Sequence, residues 1–233
     1  MHIAKFAVTT LTMKTVEEFQ CYDSVNAGPE LVSVYTSRCG SGFLSTDLIR
    51  REDWTVVFRA AQGNGQSVYE AFLNTGHHDD NPLEGGSGDV ACWSLSSSHW
   101  CPKHLRSSLL DQWADGTLGV QRVRYSLYKD GIEVVYVEFH GVGSDLTSWF
   151  DSSRVLSSSF TDLTSSQTYN KFSVSGFTLP NGLKRRFHVN YAYSTCGGDI
   201  GWLSVVVKGL CDYEKPAGLN NPHFLYSMLP TMV

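Results

Sequence analysis

VRYSLYKDGIEVVYVEFHG, running from Val123 to Gly141, decides the fold class. Apolar and polar residues alternate up to Leu127, so Val123, Tyr125 and Leu127 share one face of an extended chain. Lys129-Asp130-Gly131 is turn chemistry, because glycine takes the positive φ that a tight turn needs. The chain then returns through Ile132 to Phe139, rich in β-branched and aromatic residues. The pattern predicts a β-hairpin whose second strand lies centrally in a sheet.

Other segments repeat this pattern. Trp54–Ala60, Leu31–Thr36, Phe172–Phe177, Arg185–Asn190 and Gly201–Lys208 read as strands separated by turn signals. In Arg185–Asn190 the alternation points Phe187 and Val189 inward and Arg186 and His188 outward. Ser67, with Glu70 three positions on, predicts the cap of a short helix. A second helix is expected over roughly 102–113, and a third capped by Asp145 or Thr147. Ser157–Leu163 is expected as loop or edge strand. Residues 1–20 are expected as an N-terminal strand and connector, and 213–233 as a tail. The 233 residues show no repeat and no linker. They predict one mainly β domain, an antiparallel β-sandwich with two or three short helices.

Composition narrows the function. Charged residues are only 18% of the chain, below the roughly 25% usual for soluble domains, and the net charge is −5. A nucleic-acid binder needs a basic face. The only basic run, Lys184-Arg185-Arg186, reads first as a strand end or a partner for nearby carboxylates. No window approaches the 18 apolar residues of a membrane-spanning helix. Met1–Val8 opens like a signal peptide, but Thr9, Thr10 and Thr12 interrupt its apolar core.

Six cysteines without a CxxC pair argue against zinc-ribbon and thioredoxin chemistry. Nearest-neighbour pairing, Cys21–Cys39, Cys92–Cys101 and Cys196–Cys211, would brace three local loops. A disulfide framework implies an oxidising compartment.

Candidate chemistry is sparse. His77-His78-Asp79-Asp80 is the densest set of metal-ligand types and suits Zn²⁺, although adjacent ligands converge only if their loop curls. In Cys196–Trp202 the glycines allow close approach, and Asp199 with nearby carbonyls could take Ca²⁺. No strand-turn-helix frame surrounds a G-x-S-x-G serine, and paired cysteines leave no thiol nucleophile. Six tryptophans and eleven tyrosines are the remaining signal. Aromatic faces near loops stack on sugars, while acids, amides and guanidinium groups bind hydroxyls. Asp145, Trp149, Arg186, His188, Asp199 and Trp202 are the expected ligand-binding residues.

Trp149-Phe150, Ser157–Leu163, Arg185–Asn190, Cys196–Trp202, Glu214-Lys215 and Phe224–Ser227, with Trp54–Arg59 and Gly63–Val68, resemble an uncharacterised extracellular domain of marine invertebrate proteins. The resemblance spans roughly residues 50–228. It brings no activity or catalytic residue. It implies secretion and, with secretion, disulfides. The expectation is a secreted, non-enzymatic, lectin-like domain that recognises a glycan or small molecule. A structural or storage protein of an extracellular matrix or egg fluid is the alternative, and a metal-dependent enzyme or small-ligand protein the second. Self-association stays open.

Overall fold

The computed structural model describes residues 54–79, 92, 101–129, 131–215 and 220–228, and the backbone of 2–3, 7–15 and 50–51. Two antiparallel sheets face each other. One has seven strands. Its path is β3 (Arg50–Arg51), β4 (Trp54–Ala61), β2 (Ala7–Thr15), β6 (Val120–Lys129), β7 (Ile132–His140) and β8 (Val155–Ser158), with β5 (Leu105–Arg106) paired to β4. The other has six: β1 (His2–Ile3), β13 (His223–Tyr226), β12 (Ile200–Lys208), β11 (Lys184–Ala192) and β10 (Phe177–Thr178), with β9 (Lys171–Ser173) also on β11.

The hairpin forms where its sequence predicts it, with Gly131 at φ +77°. Val123, Tyr125 and Leu127 of β6 and Val135, Val137 and Phe139 of β7 enter the core. From the other sheet Phe187, Val189, Leu203, Val205 and Phe224 enter the same core. Apolar side chains fill one face of each sheet, and their burial, about 1.5–3 kcal/mol apiece, is what holds the layers together. On the hairpin's outward face Arg124 bonds Glu133 and Glu138 at 2.6 Å each and lies 3.9 Å over the Tyr136 ring. That polar ladder gives β6 and β7 opposite characters on their two faces.

Two short α-helices occur among the described residues. Helix α1 (Val68–Leu73) starts as predicted, with Ser67 Oγ accepting the Glu70 N–H at 3.4 Å. Helix α2 (Leu109–Ala114) starts later than the leucine spacing implies. Leu105 and Arg106 pair instead with Arg59 and Phe58 as β5, so the sheet claims the backbone that the helix would have used. The third expected helix is a turn: Asp145 accepts from Thr147 and Ser148, and a short 3₁₀ turn (Ser152–Arg154) follows. Residues 155–158 form β8 at the sheet edge. Residues 171–178 break into β9 and β10 instead of one strand. The expected tail holds β13, buried at all four positions and paired between β12 and β1, because Phe224 and Tyr226 complete the core. Leu31–Thr36 lies outside the described residues.

Candidate functional site

A bulge in β11 decides which side chains reach the outer face of the six-stranded sheet. Arg185 pairs with Val206 and Arg186 with Val205, but Val189 then pairs with Leu203. The extra residue is accommodated at Phe187, whose φ is +42°. A bulge re-aims side chains in this way. Phe187 and Val189 both enter the core, while Arg185 and His188 share the opposite face. Continuing across the sheet, that face carries Ser204 and Val206 of β12, then Leu225 and His223 of β13, their register partners. Strict alternation would have sent Arg186 there. Instead Arg186 shares the side of Val205, bonds the Ser175 carbonyl at 2.6 Å and rests over Tyr69 of α1.

Arg185 is 1% exposed and meets two carboxylates. Its Nη2 lies 2.5 Å from Asp199 Oδ2, and its Nε donates to Glu214 Oε1 at 2.8 Å. Glu214 Oε2 accepts the Leu210 and Cys211 N–H groups at 2.9 Å each, and Tyr213 donates to Asp199 at 2.6 Å. The Cys196–Cys211 disulfide ties the two supporting turns together, with each acid three residues beyond one of its cysteines. Gly209 makes room for the second turn, since a Cβ there would lie 2.6 Å from that of Glu214. The rings of Phe177 and Tyr193 lie 5.4 and 5.0 Å from the guanidinium carbon.

Burial alone would lower the Arg185 pKa, but its bonds to Asp199 and Glu214 raise it above the ordinary value. Burial, then the Asp199 charge, pushes the Tyr213 phenol up. His188 is driven well below the ordinary imidazole value, first by burial and then by the Arg185 charge, so it is neutral.

Several polar atoms on this face have nothing to bond. Among the described residues, Arg185 Nη1, both nitrogens of His188, Asn190 Nδ2, Asp199 Oδ1, Ser204 Oγ and His223 Nδ1 are buried without a hydrogen-bond partner. Buried polar atoms in proteins are nearly always bonded, and a cluster of exceptions points to water, an ion or a ligand.

The other expected residues fall elsewhere. Trp149 and Trp202 are core, 0% and 1% exposed. Trp149 packs against Phe139 and Phe150, and its indole N–H bonds the Leu146 carbonyl. Trp202 packs on Tyr169 and bonds Asp162. Neither presents a ring face to a sugar. Asp145 caps a turn, and the backbone bonds from Ser148 and Thr147 hold its pKa down to about 2. His77 and His78 are exposed; Asp79 is engaged by Lys103 Nζ at 2.9 Å and the Arg106 N–H at 3.1 Å, and Asp80 lies outside the described residues. Among the described residues no three metal-ligand side chains converge. At Asp199 the neighbouring positive charge is the Arg185 guanidinium.

Two expected disulfides form, Cys92–Cys101 and Cys196–Cys211; Cys21 and Cys39 lie outside the described residues. Of the expected ligand residues, only His188 and Asp199 come together, at Arg185. The basic run Lys184-Arg185-Arg186 carried a signal for that residue as a carboxylate partner. Glu214, Tyr213, Ser204, Asn190 and His223 carried none. No protein-family model, curated protein or solved structure matches this chain.

Proposed function

We propose that this chain is a secreted, non-enzymatic recognition domain that binds a small polyhydroxylated ligand, a sugar unit by chemical class, on the outer face of its six-stranded sheet. The observation that carries the reading is the row of unbonded polar atoms around Arg185, His188 and Ser204. It offers donors (Arg185, Asn190) and an acceptor (Asp199), with Ser204 and the histidines able to serve either way. A molecule bearing several hydroxyls matches that mixture, because each hydroxyl both donates and accepts. One guanidinium against two carboxylates leaves the cluster with excess negative charge, which favours a neutral or amino-bearing sugar over an acidic one. Two disulfides among the described residues support an oxidising, extracellular setting.

The test is calorimetric titration with neutral, amino and acidic sugars against the full chain and its Ser204→Ala and His188→Phe variants. Ser204 Oγ bonds nothing within the fold, so Ser204→Ala should be no less stable, and His188→Phe keeps the ring packed on Phe177 while giving up the His188 contact with the Leu203 backbone. Each should bind at least about tenfold more weakly, since a ligand hydroxyl would lose its partner. No heat with any neutral or amino sugar at millimolar concentration defeats the reading. Equal affinity in both variants defeats it too.

A further inference from the structure

Arg59 stands on β4, between Thr10 of β2 and Leu105 of β5, on the side of the seven-stranded sheet turned away from the shared core. It is 1% exposed. Its Nη1 lies 2.9 Å from Cys101 Sγ, a neutral disulfide sulfur. Its Nε and Nη2 are buried without a partner, and among the described residues no ion pair includes it. The neighbouring cluster is apolar: Val56, Ala61, Leu105, Tyr128 and the Cys92–Cys101 disulfide. Burial is the one influence on its pKa, which falls to about 10; it is still a cation at neutral pH. Arg106, one strand over, differs: Asp111 stands 2.7 Å from its Nη2, and the Phe72 carbonyl accepts from its Nε.

The two unbonded groups of Arg59 are adjacent. Nε–H and the near Nη2–H point the same way and form one edge of the guanidinium fork. Two parallel N–H groups on that edge fit the two oxygens of a carboxylate. A buried cation without an anion is strongly disfavoured, and one that bonds a carboxylate through both donors is not.

We propose that Arg59 anchors a second, enclosed site that takes a carboxylate on its Nε/Nη2 edge, with the apolar side chains beside it receiving the apolar body of a small organic acid. The site is independent of the sheet face carrying Arg185 and does not rest on the reading given for that face. Both free N–H groups are closed off from bulk water, so the acid enters through a local opening and exchanges slowly.

The test is thermal unfolding of the full chain in acetate, butyrate, sulfate or chloride at matched ionic strength. Butyrate should raise the midpoint more than acetate does, by about 5–10 °C at a hundredfold excess over Kd, and sulfate no more than chloride. Arg59→Met should abolish the rise, and Arg59→Lys, which keeps the charge without the fork, should lose most of it. Nitrogen-15 NMR of the Arg59 Nε–H gives a readout that does not depend on a variant folding: the proton should move downfield as butyrate is added. An equal rise in Arg59→Met overturns the proposal, as does the absence of any rise in the unaltered chain. An Nε–H already downfield in carboxylate-free buffer and unmoved by butyrate overturns it as well, because the partner is then a carboxylate of the protein itself.

Discussion

Arg185 and Arg59 each lie about 1% exposed on the outer face of a sheet, close to a disulfide, yet they meet opposite surroundings. Arg185 bonds two carboxylates that are themselves held by a tyrosine and two backbone N–H groups. Arg59 bonds one sulfur atom and leaves two donors unused. Desolvation penalises both cations. At Arg185 the partners outweigh it and the pKa rises; at Arg59 nothing does and the pKa falls to about 10. The same side chain is thus a built part of the fold in one sheet and a cost in the other.

One substitution made at both places tests that contrast. Arg185→Met should be the most damaging: it strands Asp199 and Glu214 as buried anions, at a cost of about 3–5 kcal/mol. Chemical denaturation at pH 7 reads this as a lower midpoint with an unchanged slope. A loss below about 1 kcal/mol would mean that water reaches both acids and that the network is not dry.

Arg59→Met should move the other way. A pKa lowered from 12.5 to about 10 corresponds to a penalty on the order of 3 kcal/mol at neutral pH. An apolar side chain removes that penalty and keeps most of the packing, so carboxylate-free buffer should show a gain of about 1–3 kcal/mol. A loss comparable to that of Arg185→Met would erase the contrast and assign Arg59 an anion within the protein.

The two regions were unequally legible. The hairpin, the Ser67 cap and two disulfide pairs follow from local chemistry: alternation, a turn glycine, a hydroxyl before a helix and short spacing between cysteines. The site does not, because its geometry depends on one extra residue. Read as a regular strand, Arg185–Asn190 sends Arg186 outward with His188; the bulge at Phe187 sends Arg185 there instead. Alternation has no means of registering a bulge. Glu214 and Tyr213 were hidden for another reason. They reach Arg185 from 29 and 28 residues away, through a turn fixed by the disulfide. Trp149 and Trp202 stand next to loops in sequence, which suggested exposure, but bulk and apolarity draw them into the core.

Histidines give the smallest and most local reading of the difference. His104 sits near Arg59's strand, its ring 6.4 Å from that of Phe58, and its Nδ1 accepts the Ala61 N–H. Burial, only partly offset by the Gln66 backbone, lowers its pKa from 6.5 to about 4. An unfolded His104 takes up a proton near pH 6.5, whereas the folded one does so only near pH 4. Between those values the unfolded chain binds more protons, so stability falls as pH falls. At pH 5 this one residue should cost about 2 kcal/mol relative to pH 7.5. His104→Gln should flatten the stability curve between pH 7 and pH 5 by that amount, as measured by denaturation at half-unit steps. His188, held neutral beside Arg185, should contribute in the same direction, and His188→Phe should flatten the curve independently. If His104→Gln leaves the curve unchanged, the imidazole already carries its proton when folded. The neighbourhood of Arg59 would then be wet or anionic, and its resemblance to the Arg185 site closer than the bonding implies.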